Sequence, residues 1–184
     1  MTLKLLLTGR PRAGKTTLLS NVIQQLDQSA GGFYTEEVRD ESGHRIGFRI
    51  ATLRGETGWL ARLGSKEKYC LGRYGVDVAE LDRLGVSAIR EALADKEIVV
   101  IDEIGPMEMF SPLFRQAVLD ALASPKALLA TIVGRPHPFA DRVKRAPGVR
   151  LITVTPENRD ELPATVIEML AGRSHIRAPL TCPV

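Results

Sequence analysis

The chain has 184 residues, of which 44% are hydrophobic and 26% are charged. This size and composition are typical of a globular domain, alone or with a small insertion, that folds without disulfides or structural metals. A net charge of +3 is too weak to predict a dedicated nucleic-acid-binding protein. No apolar run approaches the roughly 20 residues that span a bilayer, which argues against a membrane protein.

Cys70 and Cys182 are the only cysteines, and they form neither a CxxC pair nor part of a metal-ligand cluster. We therefore expect two free thiols in a reducing compartment. The sequence passes directly from Met1 into a short apolar run, without the charged region and cleavage site of a secretory signal. These features predict a cytoplasmic protein.

Strands and helices alternate along most of the chain. Apolar runs and helical periodicity predict strands at 3–7, 98–101, 127–133 and 149–154, and helices at 16–26, 78–94, 113–122 and 156–170. In the last helix, Thr155 is the expected N-cap and Pro156 lies in the first turn. The alternation predicts an α/β fold with a mostly parallel central sheet flanked by helices. Ligands of such sheets bind outside the carboxyl ends of the strands.

Antiparallel strands interrupt this pattern after the first helix. Strands at 33–38 and 45–53 are joined by a turn-rich segment at 40–43, and a third strand is predicted at 59–63. We interpret about 32–63 as a small antiparallel β-hairpin insertion and about 172–184 as a C-terminal tail. Both belong to a single predicted domain that spans residues 1–184.

Residues 9–16 read Gly-Arg-Pro-Arg-Ala-Gly-Lys-Thr and match the Walker A pattern G-x-x-x-x-G-K-[ST] between a strand and an amphipathic helix. The glycines let backbone N–H groups turn toward phosphate oxygens, and the helix N-terminus adds partial positive charge. Lys15 can reach the β- and γ-phosphates of a nucleoside triphosphate, and the Thr16 hydroxyl can bind Mg²⁺. The predicted nucleotide-binding residues are Gly9, Arg10, Pro11, Arg12, Ala13, Gly14, Lys15, Thr16 and Thr17.

Three of these residues have a second interpretation. Thr17 is either a ligand of the α-phosphate or an ordinary residue of the first helical turn. Arg10 and Arg12 either contact phosphate directly or are solvated charges.

The apolar strand at 98–101 is followed by two carboxylates, Asp102 and Glu103. Asp102 takes the place of a Walker B aspartate, so Thr16 and Asp102 are the predicted Mg²⁺-binding residues. Glu103 can orient and deprotonate the water that attacks the γ-phosphate, and we predict that Glu103 and Lys15 are catalytic. Residues 102–105 also fit the D-x-x-G pattern of switch GTPases. The guanine-reading N-K-x-D motif is absent, which favours loose base selectivity.

A basic segment follows the strand at 127–133 and contains Arg135, His137, Arg142, Lys144 and Arg145. Because loops after parallel strands face the ligand, one arginine here can neutralise charge in the transition state. Arg135 is the first candidate for this catalytic role and Arg142 the second. His44 and His175 are interpreted as surface residues. Trp59 is either a core residue or, alternatively, a platform for a base.

Three segments resemble the thermophilic and cancer-related nucleoside-triphosphatase family of small P-loop enzymes. They are the phosphate loop, the run Gly-Phe-Tyr-Thr-Glu-Glu-Val-Arg at 32–39 with Gly43, Arg45, Gly47 and Phe48 after it, and Val-Ile-Asp-Glu-Ile-Gly-Pro-Met-Glu at 100–108. Tyr74-Gly75-Val76 is a weaker fourth segment. The resemblance covers most of residues 3–170. It implies Mg²⁺-dependent hydrolysis of several nucleoside triphosphates to diphosphates, with little base preference.

The resemblance also implies roles for particular residues. Lys15 and Thr16 would bind phosphate and metal, Asp102 would support the metal, and Glu103 would be the base. The charged segment at 34–39 either closes over the nucleotide or faces water. One position departs from the family, which usually has glycine where this chain has Arg12. A backbone angle that glycine tolerates is expected to be strained there.

A nucleoside triphosphatase is the function that the sequence favours, with nucleoside triphosphates as ligands and Mg²⁺ as cofactor. A small-molecule or nucleotide kinase is the alternative, and it needs a second pocket for its acceptor. A nucleotide-dependent interaction protein is a third interpretation, for which no protein partner can be named. Membrane and nucleic-acid partners are not expected.

Overall fold

The structure is a computed structural model that describes residues 2–172. Met1 and residues 173–184, which include most of the predicted tail with His175 and Cys182, lie outside the described residues. The strands are β1 (Lys4–Thr8), β2 (Ala30–Arg39), β3 (Arg45–Thr52), β4 (Thr57–Leu63), β5 (Tyr69–Leu71), β6 (Tyr74–Val76), β7 (Ile98–Ile104), β8 (Ala127–Ile132) and β9 (Val149–Thr153). The helices are α1 (Lys15–Gln25), α2 (Val78–Glu80), α3 (Ser87–Asp95), α4 (Pro112–Ala123), α5 (Pro138–Lys144) and α6 (Leu162–Leu170).

Within the described part of the chain, nine strands form one sheet in the order β5-β6-β4-β3-β2-β7-β8-β1-β9. The neighbours from β2 to β9 pair in parallel, and those from β5 to β2 pair antiparallel. Strand β2 belongs to both halves, because Ala30 to Phe33 pair with β7 whereas Phe33 to Arg39 pair with β3. The predicted α/β fold with a mostly parallel centre is confirmed, and the antiparallel strands extend the same sheet.

Alternate side chains of the central strands build an apolar layer on each face of the sheet. Leu6 packs in the layer that contains Phe33 and Phe114, on the side of α3 and α4. Leu5 and Leu7 point the other way, into the layer covered by α1 and α6. Strands that are buried on both faces require continuous apolar runs, as in β7. Because both faces are covered, the carboxyl edge of the sheet is the open place for a ligand.

The last helix begins later than predicted. A helix from 156, with Thr155 as N-cap and Pro156 in its first turn, is wrong, because α6 begins at Leu162. Asn158 explains the difference. Its side-chain oxygen accepts a hydrogen bond from the Thr155 N–H at 2.9 Å, and its amide donates to the Thr153 carbonyl at 2.9 Å. These local bonds hold the segment in a turn that competes with the helix.

Other elements escaped the sequence patterns. Strands β5 and β6 have three residues each, which is too short for periodicity to detect. Helix α5 lies in the basic segment and is capped by His137, whose Nδ1 accepts a hydrogen bond from the Phe139 N–H at 3.2 Å. The predicted helix at 78–94 is present as α2 and α3, but a π-helical segment, Leu81–Val86, lies between them. A 3₁₀ turn at Glu108–Phe110 precedes α4.

Candidate nucleotide-binding site

The phosphate loop connects β1 to α1 and depends on glycine at both ends. Gly9 has a φ of 153°, and a Cβ there would lie 2.4 Å from the Val154 carbonyl oxygen. Gly14 has a φ of 98° and immediately precedes α1. Within the loop, the Ala13 N–H donates to the Arg10 carbonyl at 3.1 Å. Side chains at the two glycine positions would therefore disrupt the turn that aims backbone N–H groups at a ligand.

Arg12 lies inside this loop with a φ of 66°. This left-handed backbone conformation costs a non-glycine residue about 1–2 kcal/mol. The structure therefore places strain at the position where the resemblance predicted it. The Arg12 side chain is exposed. Arg10 and Pro11, in contrast, line a cleft beside the loop.

Lys15 folds back over the loop. Its Nζ lies 3.4 Å from the Gly9 carbonyl oxygen and 3.5 Å from that of Arg10. Burial raises the pKa of Asp102 and of Glu103, and the positive charge of Lys15 opposes both rises. The ammonium group is thus positioned between the loop and the two carboxylates, where phosphate oxygens would replace the weak carbonyl contacts.

Asp102 is buried at the carboxyl end of β7, with 1% of the residue exposed. One carboxylate oxygen accepts a hydrogen bond from the Thr131 hydroxyl. The other, Oδ2, has no hydrogen-bond partner among the described residues. Burial raises the pKa of Asp102, while the hydroxyls of Thr131 and Thr16 and the charge of Lys15 lower it. A buried carboxylate oxygen without a partner is costly unless a cation or water fills the space beside it.

These residues fit a Mg²⁺ ion. Thr16 and Asp102 offer hard oxygen ligands on facing elements, and the free Oδ2 of Asp102 supplies the unused acceptor. Residues 2–172 contain no cluster of three or more His, Cys, Asp or Glu side chains that could hold a metal alone. That suits Mg²⁺, which usually keeps several waters and shares its coordination with substrate phosphates.

Glu103 and Glu108 flank Gly105. A Cβ on Gly105 would lie 2.9 Å from Glu108 Oε2 and 3.3 Å from Glu103 Cγ. Burial raises the pKa of Glu103, an effect that Lys15 opposes. Burial and the negative charge of Glu103 raise the pKa of Glu108 to about 8. The Glu108 carboxyl group, which lies beside Glu103, is therefore neutral at pH 7.

Glu103 and Lys15 face a cleft of about 750 Å³ between the loop and the antiparallel strands. Its lining consists of Thr8, Gly9, Arg10, Pro11, Lys15, Arg45, Phe48, Leu71, Glu103, Pro106, Val133, Gly134, Arg135 and Thr153. The structure thus brings Arg135 to the phosphate loop, as predicted from its place after β8. It does not bring Arg142 there, because that side chain lies in a separate groove between α4 and α5.

Arg45 is a cleft residue for which sequence reasoning found no role. Its Nε donates to the Tyr74 hydroxyl at 3.0 Å, and its Nη1 donates to Glu37 at 3.0 Å. The guanidinium carbon also lies 5.1 Å from the centre of the Phe48 ring. Arg45 therefore presents a fixed positive charge on the far side of the cleft from the phosphate loop. The family-like segments around it were the available signal.

The remaining candidates lie away from the cleft. None of residues 34–39 lines it, and Glu37 reaches it only through Arg45. Trp59 is half-buried on β4, with Arg62 over its ring at 5.0 Å. His44 is exposed in the hairpin turn, 3.8 Å from Asp40. Thr17 lies on the opposite side of the loop, beside a smaller cavity.

The chain is similar in sequence to known nucleoside triphosphatases. Residues 4–167 match a family model described as NTPase. The chain is 44% identical over 168 residues to the nucleoside-triphosphatase THEP1 of Thermotoga petrophila, covering 91% of this chain and 93% of that protein.

Solved structures share the fold. The crystal structure of THEP1 from the hyperthermophile Aquifex aeolicus matches with a TM-score of 0.82 at 38% identity, covering 91% of this chain and 99% of that one. The solution structure of a human cancer-related nucleoside triphosphatase matches with a TM-score of 0.78 at 35% identity, covering 94% and 100% of the two chains. With its phosphate loop and buried Asp102 in place, the chain belongs to this family of P-loop nucleoside triphosphatases.

Proposed function

We propose that the protein is a Mg²⁺-dependent nucleoside triphosphatase that converts triphosphates of several bases to diphosphate and phosphate. The observation that carries the proposal is the placement of Lys15 and Glu103 in one cleft at the mouth of the phosphate loop. A cation for the phosphates and a carboxylate for the water are the two groups that hydrolysis of a γ-phosphate requires. The names of the family members support the same activity.

Glu103 acts as the general base. It orients a water molecule toward the γ-phosphorus and takes its proton as the new oxygen–phosphorus bond forms and the bond to the β-phosphate oxygen breaks. Burial raises the pKa of its carboxyl group, and a higher pKa makes the carboxylate a stronger base. The positive charge of Lys15 opposes this rise in pKa.

Thr16 and Asp102 would hold a Mg²⁺ ion, which would neutralise charge on the phosphates. Burial raises the pKa of Asp102, and the hydroxyls of Thr131 and Thr16 and the charge of Lys15 offset part of this rise. The backbone N–H groups of the loop and Lys15 bind the phosphate chain.

Arg135 and Arg45 neutralise the charge that develops on the transferred group. Both arginines line the same cleft as Lys15 and Glu103. Preorganised cations at the site of developing charge contribute much of the transition-state stabilisation in phosphoryl transfer. Arg45 is the better ordered of the two, because Tyr74 and Glu37 fix its guanidinium. The place of Arg142 outside this cleft removes the structural support for its proposed catalytic role.

Broad base selectivity and a cytoplasmic location are further parts of the proposal. The first rests on the missing N-K-x-D motif and the second on the two cysteines and the composition. Among the described helices, none combines the length and apolar character needed to cross a bilayer.

A kinase is the second candidate, and one observation favours it. The cleft extends beyond Glu103 to the apolar side chains of Phe48, Leu71 and Pro106. That region can accept a small organic molecule with a hydroxyl group, so the pocket that a kinase requires is present.

The deciding experiment measures phosphate release from ATP, GTP, CTP and UTP with Mg²⁺, with and without a panel of hydroxyl-bearing acceptors. A triphosphatase releases phosphate from each nucleotide at a rate that the acceptors do not change. Suppressed release, with phosphate transferred to one acceptor, would establish the kinase instead.

A further inference from the structure

The phosphate loop has cavities on two sides. The larger cleft, with Lys15 and Glu103, lies at one side. A smaller cavity of about 360 Å³ lies at the other and is lined by Gly14, Thr17, Leu18, Asn21, Arg159, Asp160 and Pro163. Its volume falls within the range of small-molecule sites. Because the loop residue Gly14 lines this cavity, the cavity adjoins the phosphate loop.

The chemistry at the two sides sets the direction of a bound triphosphate. The γ-phosphate must face Glu103 and Lys15, because hydrolysis takes place there. The phosphate chain then follows the loop to the start of α1, which brings the α-phosphate to Thr17. The nucleoside that follows the α-phosphate leaves the loop on the side of Thr17, where the smaller cavity opens.

Arg159 forms one wall of this cavity and is held from two directions. Its backbone N–H donates to the Thr155 carbonyl at 3.1 Å, in the turn that Asn158 stabilises. Its side chain runs over the phosphate loop, so that a Cβ on Gly14 would lie 3.1 Å from Arg159 Cδ. Its ionic contact with Asp160 is long, at 3.7 Å, and the Asp160 side chain is 88% exposed. The guanidinium plane is therefore available to a ligand.

We propose that this cavity is the nucleobase site and that the Arg159 guanidinium stacks on the face of the base. The proposal rests on the function proposed above and adds where and how the base is bound. Every base has a π-face, so stacking binds all of them with little discrimination. The amide of Asn158, which could otherwise read a base edge, is used within the turn by Thr155 and Thr153. Broad base selectivity then has a physical cause in this chain.

The test compares ligands with and without a base. Binding of the non-hydrolysable β,γ-imido analogues of ATP and CTP, and of inorganic tripolyphosphate, to the full chain is measured by calorimetry with Mg²⁺, for the parent protein and for Arg159→Ala. Loss of a stacking partner should weaken both nucleotides about 10-fold and leave tripolyphosphate within about twofold. Arg159→Lys, which keeps the charge but lacks the plane, should behave like the alanine variant.

Arg150→Ala is the matched control, since Arg150 is an exposed arginine on β9 that does not line the cavity. Unchanged nucleotide binding in Arg159→Ala would overturn the proposal. So would full affinity in Arg159→Lys, or an equal loss for tripolyphosphate, which would make Arg159 a phosphate ligand. Because the nucleotide analogues are not hydrolysed, their affinities are independent of turnover. Failure of the parent to bind tripolyphosphate would instead refute the phosphate site itself.

Discussion

Replacement of Glu103 by glutamine tests the proposed chemistry most directly. Glutamine keeps the size of the side chain and can still hydrogen-bond a water molecule, but it cannot accept the proton. Loss of a positioned base lowers turnover about 10²- to 10⁴-fold, or about 2.7–5.5 kcal/mol of transition-state free energy. Phosphoryl transfer depends mainly on positioning and electrostatics, and glutamine retains the position. We therefore expect Glu103→Gln to fall in the lower half of this range.

Binding should remain in this variant, because Lys15 and the loop hold the phosphates. Whereas Glu103→Gln changes turnover, Asp102→Asn is expected to change the Mg²⁺ dependence of activity. It replaces the carboxylate whose Oδ2 has no partner among the described residues, so its activity should depend more strongly on Mg²⁺ and recover partly at high Mg²⁺. Glu36→Gln is a suitable control, because Glu36 is paired with Arg49 at 2.8 Å and does not line the cleft.

The assay is phosphate release at saturating triphosphate over a series of Mg²⁺ concentrations, with nucleotide binding measured in parallel. Equal hydrolysis by Glu103→Gln and the parent would remove Glu103 as the base. It would also favour the kinase, in which an acceptor hydroxyl is activated by another group. A parallel loss of binding and turnover would show that Glu103 binds substrate.

Three further measurements test other parts of the site. Lys15→Ala should lose triphosphate binding and hydrolysis while its thermal unfolding stays close to that of the parent; binding as tight as the parent's would refute the phosphate loop as the site. Across the four common triphosphates, kcat/KM should vary less than about 100-fold, or about 2.7 kcal/mol, and a larger preference would require a base-reading pocket. Arg45→Ala should lower kcat about 10²-fold whereas Arg49→Ala on the same strand should not, and equal rates would leave Arg45 without a catalytic role.

The pH dependence of stability provides a separate test of the buried carboxyl pair. Burial raises the pKa of Glu108 from an ordinary 4.5 to about 8, so the folded state holds a proton that the unfolded state releases between these values. This contribution to stability is complete below the unfolded pKa and is lost as the pH rises through the folded one. In urea titrations of the ligand-free protein, the free energy of unfolding of Glu108→Gln should therefore rise relative to that of the parent between pH 5 and 8. The expected change is up to about 1.4 kcal/mol per pH unit. A difference that does not change with pH would contradict the buried, protonated carboxyl.

Local patterns predicted the parts of the site that local structure determines. The phosphate loop follows directly from β1, and Asp102 and Glu103 lie next to each other in β7. Within each of these two segments, the order of the residues in sequence is enough to predict their positions relative to the strand. Arg135 follows from the same logic, since it lies directly after β8. Contacts between distant segments were not predictable in this way. Thr131, which holds Asp102, lies 29 residues from it, and no periodicity in the sequence connects the two.

The same limit applies to Arg142, which the structure places away from Arg135. The loop after β8 was expected to carry the whole basic segment to the ligand. Instead, His137 caps a new helix, and α5 directs the later residues toward α4. Arg135 stays at the cleft and Arg142 faces a groove with Leu119 and Leu122. A capping histidine followed by proline was the available signal for that helix.

The family-like segments gain a physical meaning once Arg45 is placed. Glu37 comes from the stretch at 32–39 and Tyr74 from the weaker segment near β6, yet both accept a hydrogen bond from one guanidinium. Phe48 packs against the same group. Segments that are far apart in sequence therefore converge on a single cation that faces Lys15 across the cleft. If Arg45 acts as proposed, the antiparallel half of the sheet serves to hold that charge, and Tyr74→Phe should reproduce part of the Arg45→Ala defect without altering the phosphate loop.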